Sequence, residues 1–130
     1  MLTRRLIVSI AAASLLPLTV LLAAEAAPAY DQAAFKAAQD SGKPVLVEIH
    51  ASWCPTCKAQ SAVLEPMLKQ DDFKAMAVFR VDFDEQKSVV RAFKADMQST
   101  LIVFKGATEV GRVVGETDAG AIEALLRKAI

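Results

Sequence analysis

The chain has 130 residues, with 15 basic and 15 acidic groups and so a formal net charge of zero. That balance leaves neither a basic footprint for nucleic acid nor an acidic tail. Its two cysteines are too few for a disulfide-dense mini-fold or a four-cysteine zinc site.

Met1–Arg5 is short and positive, and no charged residue occurs from Leu6 to Ala24. Ala24-Glu25-Ala26 then supplies small residues at the two positions a signal peptidase must admit. This layout predicts a cleavable secretory signal peptide over 1–26, with Ala27 as the new N-terminus. The alternative is an uncleaved membrane anchor of nearly spanning length. Pro17, which interrupts the apolar run, and the cleavage site weigh against it. Residues 27–130 are then left with a net charge of −1 and suffice for one domain with one core. That domain is expected in the periplasm or another exported, oxidising compartment, where a cysteine pair persists as a disulfide. The membrane enters only through the leader, should it stay uncleaved.

Ala27–Tyr30 is predicted as a loose N-terminus. Asp31 can cap a helix running to about Asp40, with Ala34, Phe35 and Ala38 on its apolar face. Val45–Ala51 is apolar apart from Glu48 and His50, the pattern of a strand covered on both faces. Lys58–Leu68 has helical composition, with Val63, Leu64, Met67 and Leu68 inward and Pro66 set to kink or end it. Met76–Phe83 reads as a second buried strand and Glu85–Ala95 as a helix. Leu101–Phe104 and Val110–Val114 are strands joined by a short turn with Gly106, hence an antiparallel hairpin. Asp118 can cap a last helix with Ile122, Leu125, Leu126 and Ala129 inward. The order implies an α/β fold. Parallel strands joined by crossover helices form a mixed sheet, the hairpin adds an antiparallel edge, and helices cover both faces.

The chemistry sits at Trp53-Cys54-Pro55-Thr56-Cys57-Lys58, between a buried strand and a helix. Cys54 falls at the helix N-terminus, where unpaired N–H groups and the helix dipole favour a thiolate, the attacking form. Cys57, one turn on, can attack the resulting mixed disulfide and release the product. Cys54 is expected to be exposed and Cys57 buried. Pro55 suits the first helical turn, where its missing donor costs nothing. A structural staple across so small a loop would stabilise little. A metal site would need more ligands than two cysteines and the single histidine, His50.

Val45 to Lys58 resembles the active-site strand and turn of the thioredoxin family. The likeness continues through Arg80-Val-Asp-Phe-Asp84, Thr100-Leu-Ile-Val-Phe-Lys-Gly106 and Val114-Gly115. It covers essentially all of residues 31–130 and implies a thioredoxin-like fold. By that resemblance Cys54 is the nucleophile, Cys57 the resolving thiol and Trp53 the aromatic beside the site. Glu48 takes the place of the family's buried acid, usually aspartate, and Arg80 that of a nearby basic residue. The residues themselves agree on Glu48. A carboxyl inside an apolar strand is costly unless paired or protonated, and burial raises its pKa toward that of a proton acceptor for Cys57. The bland alternatives are a strand-end glutamate reaching water, a snorkelling Arg80 and a packed His50.

Two departures stand out. The dipeptide between the cysteines is Pro55-Thr56, without the histidine common in strong oxidants and isomerases. Ser99 stands where the family usually has a cis-proline, just before Thr100. The Gln98–Ser99 bond is expected to be trans, with Asp96–Ser99 remodelled. Ser99 and Thr100 are expected to offer edge hydrogen bonds to an extended substrate, with the Ser99 N–H and hydroxyl as donors that proline lacks. The leading reading is a thiol–disulfide oxidoreductase acting on protein or small-molecule disulfides, more as a reductase. It needs no bound cofactor or metal, because the cysteine pair carries both electrons. It does need a redox partner to reset it. The alternatives are a disulfide oxidase or isomerase, and a redox-inert binding module.

Overall fold

The architecture follows from two alternating faces of one sheet. The computed structural model describes residues 27–130, and the predicted leader lies outside them. In chain order the elements are α1 (Gln32–Asp40), β1 (Pro44–His50), α2 (Pro55–Met67), β2 (Ala77–Asp82), α3 (Lys87–Ala92), β3 (Thr100–Lys105), β4 (Thr108–Val114) and α4 (Ala119–Arg127). The sheet order is β2-β1-β3-β4. β1 runs parallel to β2 and antiparallel to β3, and β3 pairs antiparallel with β4. β1 is therefore central, and its uninterrupted burial accounts for its nearly all-apolar sequence.

Side chains alternate along β1, so its two faces build two cores. Leu46 joins Leu64 and Met67 of α2, Leu101 and Val103 of β3, and Ile122, Leu125 and Leu126 of α4. Val45, Val47 and Ile49 face the other way, toward Phe79, Val81, Val90, Ile102 and Phe104, with Tyr30, Phe35 and Phe93 packed against them. Aromatic rings on this second face meet at centroid distances such as 5.3 Å for Phe35–Phe93 and 5.4 Å for Tyr30–Phe93. Each such pair adds about 0.5–1.5 kcal/mol beyond the area it buries. Glu48 and His50 share the register of Leu46 and so lie on the α2 face of β1.

The caps are those expected. Asp31 accepts from the Ala34 N–H and Asp118 from the Ala121 N–H, starting α1 and α4. Pro66 is tolerated as the penultimate residue of α2, which ends at Met67. Gly106, at φ +57, sits first in the two-residue loop between β3 and β4, a position that suits glycine.

Two expectations are corrected. The segment predicted as a loose N-terminus is tied to β2. The Tyr30 N–H donates to the Arg80 carbonyl at 2.8 Å, and the Arg80 N–H donates to the Pro28 carbonyl at 2.9 Å. These bonds cover part of an edge strand that would otherwise present open groups. The third helix is shorter than predicted. Asp82 Oδ1 accepts from the Asp84 and Glu85 N–H groups, which bends the chain into a turn before Lys87. At the other end Lys94 adopts φ +54 and stops the helix.

Candidate active site

The end of β1 hands the chain to α2 through a tight turn, with the Cys54 N–H donating to the Ala51 carbonyl at 3.1 Å. Cys54 is the N-cap of α2, and its Sγ accepts from the Cys57 N–H at 3.1 Å. The two cysteines are joined as a disulfide with a Cα–Cα distance of 5.3 Å. In the reduced protein the same N–H, backed by the helix dipole, stabilises negative charge on the Cys54 sulfur. Pro55 takes the first helical position, as expected.

The expected exposure of Cys54 is not found: it is 4% exposed and Cys57 1%. Disulfide formation draws both sulfurs over the first turn of α2, where the cysteines pack with Ala51 and Phe83. What little exposure remains favours Cys54. Trp53 beside it is 59% exposed and is held by its indole N–H, which donates to Asp84 Oδ2 at 2.7 Å. Thr56 is half-buried within the turn.

Glu48 lies beneath the turn. It lines one small pocket together with His50, Cys57, Gln60, Ser61 and Leu64. Arg80, opposite it in the β1–β2 register, donates from Nε to Glu48 Oε2 at 2.9 Å. Arg80 also donates from Nη2 to the Ser61 hydroxyl at 3.1 Å. Burial pushes the Glu48 carboxyl above its ordinary pKa, and this outweighs the opposing pull of Arg80. His50 moves the other way. Burial first, then the Arg80 charge, lowers its pKa, so it is neutral at neutral pH.

Ser99 follows a loop with no cis peptide bond, since none occurs among the described residues, and it adopts φ +59. Its expected role as a donor to substrate does not fit this conformation. The Ser99 N–H donates to the Ile49 carbonyl at 2.8 Å, and its hydroxyl donates to the Gln98 carbonyl. The Thr100 hydroxyl donates to the Met97 carbonyl at 2.7 Å, and both residues are buried. A left-handed serine turns these groups inward, where a proline-like extended geometry would not.

Three contributors escape the sequence reading. Ser61 orients Arg80, Asp84 anchors Trp53, and Gln60 reaches across to the Ser99 carbonyl. Gln60 alone leaves a sequence signal: it falls on the inward stripe Cys57, Gln60, Leu64, Met67, where a polar residue needs a partner. Among the described residues no group of three or more His, Cys, Asp or Glu is placed to hold a metal ion.

A cysteine pair capping a helix after the central strand, above a buried acid, defines a dithiol–disulfide site on a thioredoxin-like fold. A family model described as Thioredoxin matches residues 26–128. A thioredoxin of Echinococcus granulosus is 36% identical over 93 residues, which is 72% of this chain and 85% of that protein. An H-type thioredoxin of Fagopyrum esculentum is 33% identical over 81 residues, 62% of this chain and 68% of that one. The crystal structure of Trxlp from Edwardsiella tarda EIB202 superposes with a TM-score of 0.74 at 43% identity, over 76% of this chain and 96% of that chain. The chain belongs to the thioredoxin family and is a thiol–disulfide oxidoreductase.

Proposed function

We propose that the protein is an exported reductase of disulfides in polypeptides, made with a leader that is removed after Ala26. The observation that carries the reading is the placement of Cys57 between two proton- and charge-handling groups. Its N–H supports the Cys54 sulfur, and its side chain lines the same pocket as Glu48. In the reduced protein the Cys54 thiolate attacks one sulfur of the substrate disulfide. A mixed disulfide forms, and the other substrate sulfur leaves as a thiolate that takes up a proton. Cys57 gives its proton to the Glu48 carboxylate and attacks the Cys54 sulfur. The second substrate sulfur then leaves, and two electrons have passed from the cysteine pair to the substrate. A reducing partner of the same chemistry resets the pair.

The direction of flow is argued from the Cys54 sulfur. It accepts one backbone N–H, and Pro55-Thr56 brings no histidine to the turn. Strong oxidants owe their potential to a well-stabilised reduced form, and one such bond stabilises it only modestly. The test is insulin reduction by the mature chain with dithiothreitol as reductant. Turnover is expected from the wild type and lost in Cys54→Ser. Turnover that survives Cys54→Ser contradicts the reading. Mass measurement of the protein recovered from an exporting host is expected to place its first residue at Ala27; an intact Met1 contradicts the leader.

A further inference from the structure

The helix that carries the cysteines also carries a buried amide with two partners. Gln60 follows Cys57 by three residues, so the two share a helix face, and it is 3% exposed. Its Nε2 donates to the Ser99 carbonyl at 2.9 Å and to the Glu116 carbonyl at 2.9 Å. A primary amide has two N–H donors, and both are spent on backbone at the open ends of the β3–β4 hairpin. The Ser99 carbonyl also accepts from the Gly115 N–H at 2.9 Å. With the Ser99 N–H bound to Ile49, every backbone group of Ser99 is fixed. This matters because Ser99 is left-handed, a conformation that costs a non-glycine residue and persists only when its surroundings hold it.

The loop held in this way borders the redox pair. Ser99 bonds to Ile49, at the end of the strand that leads into Cys54, and Gln60 lies one turn on from Cys57. Ahead of Ser99, Met97 is exposed. The N–H groups of Met97 and Gln98 make no hydrogen bond among the described residues. Two neighbouring free amides on a fixed loop suit the carbonyls of an extended polypeptide.

We propose that Gln60 is a positioning residue for the substrate: by locking Ser99 left-handed it fixes loop 96–99 as a docking edge for an extended polypeptide disulfide beside Cys54 and Cys57. This rests on the reductase reading and names the element that sets its preference for polypeptides.

The test is the insulin assay with Gln60→Met, Ser99→Gly and the double variant, resolving KM from kcat. Methionine keeps the length of glutamine and fills the core without donors. In Gln60→Met the KM for insulin is expected to rise about tenfold, the population factor of an unsupported left-handed residue, while kcat changes less than threefold. Adding Ser99→Gly is expected to return KM to within about threefold of wild type, because glycine takes positive φ without help. Should Gln60→Met fail to fold, recovery of the fold and of KM in the double variant supports the inference, and failure of the double variant overturns it. A KM within twofold of wild type in Gln60→Met overturns it, as does a defect that Ser99→Gly leaves in place. A wild type that leaves insulin oxidised overturns the reductase reading and this inference with it.

Discussion

Replacing Ser99 by proline sets this chain against the usual sequence of its own family. Proline fixes φ near −65°, whereas Ser99 sits at +59. The ring also deletes the N–H that donates to the Ile49 carbonyl at 2.8 Å, in a residue that is almost wholly buried. Leaving a buried acceptor without this partner costs about 1–3 kcal/mol. Rebuilding the loop breaks the Gln60 and Gly115 bonds to the Ser99 carbonyl as well, which adds about 1–2 kcal/mol. Ser99→Pro is therefore expected to destabilise the fold by roughly 3 kcal/mol. With a urea dependence of about 1–3 kcal/mol/M for a domain of this size, the midpoint falls by roughly 1–2 M. Urea unfolding of the oxidised protein, followed by far-ultraviolet circular dichroism, reads this directly. An unchanged or higher midpoint would refute the reasoning. It would mean that the loop adopts a proline-compatible form at no cost and that the left-handed serine is dispensable.

Three further predictions concern the titratable groups. Glu48 has a raised pKa when folded, so the native state holds its proton where the unfolded chain has released it. Stability attributable to Glu48 is therefore present below about pH 4.5 and lost as pH rises through the folded value. Glu48→Gln is expected to flatten that loss in urea titrations between pH 4 and 8. It is also expected to slow mixed-disulfide resolution roughly 10- to 100-fold near neutral pH in stopped flow; an unchanged rate rules out Glu48 as the proton acceptor. His50 should titrate by nuclear magnetic resonance below its ordinary 6.5, and Arg80→Gln should move it up; a value above 6.5 contradicts the burial argument. Alkylation of the reduced protein at mildly acidic pH should label Cys54 first, and preferential labelling of Cys57 would reverse their roles.

What was legible in the sequence was the local part of the structure. Asp31 and Asp118 announce their helices because a cap acts within three residues. The two-residue loop at Gly106 fixes the hairpin, and the apolar run around Val47 marks a strand covered on both faces. Glu48 and the cysteine pair stand out because a lone acid in a buried strand and a Cys-x-x-Cys at a helix start each need a chemical reason. The rest depends on approach between distant segments. Nothing in Pro28-Ala29-Tyr30 says that it will pair with Arg80. Gln60 meets Ser99 across 39 positions, and Trp53 meets Asp84 across 31. The inward turn of the Ser99 donors follows from its positive φ, which those distant partners impose.

The most direct test of the account is the reduction potential of the Cys54–Cys57 pair, measured by equilibrating the protein against glutathione buffers and counting free thiols. A dithiol whose sulfur is stabilised by one backbone N–H, without a histidine in the turn, is expected to equilibrate clearly below the glutathione poise of about −220 mV. A potential at or above that poise would contradict the reductase and assign the pair to disulfide formation.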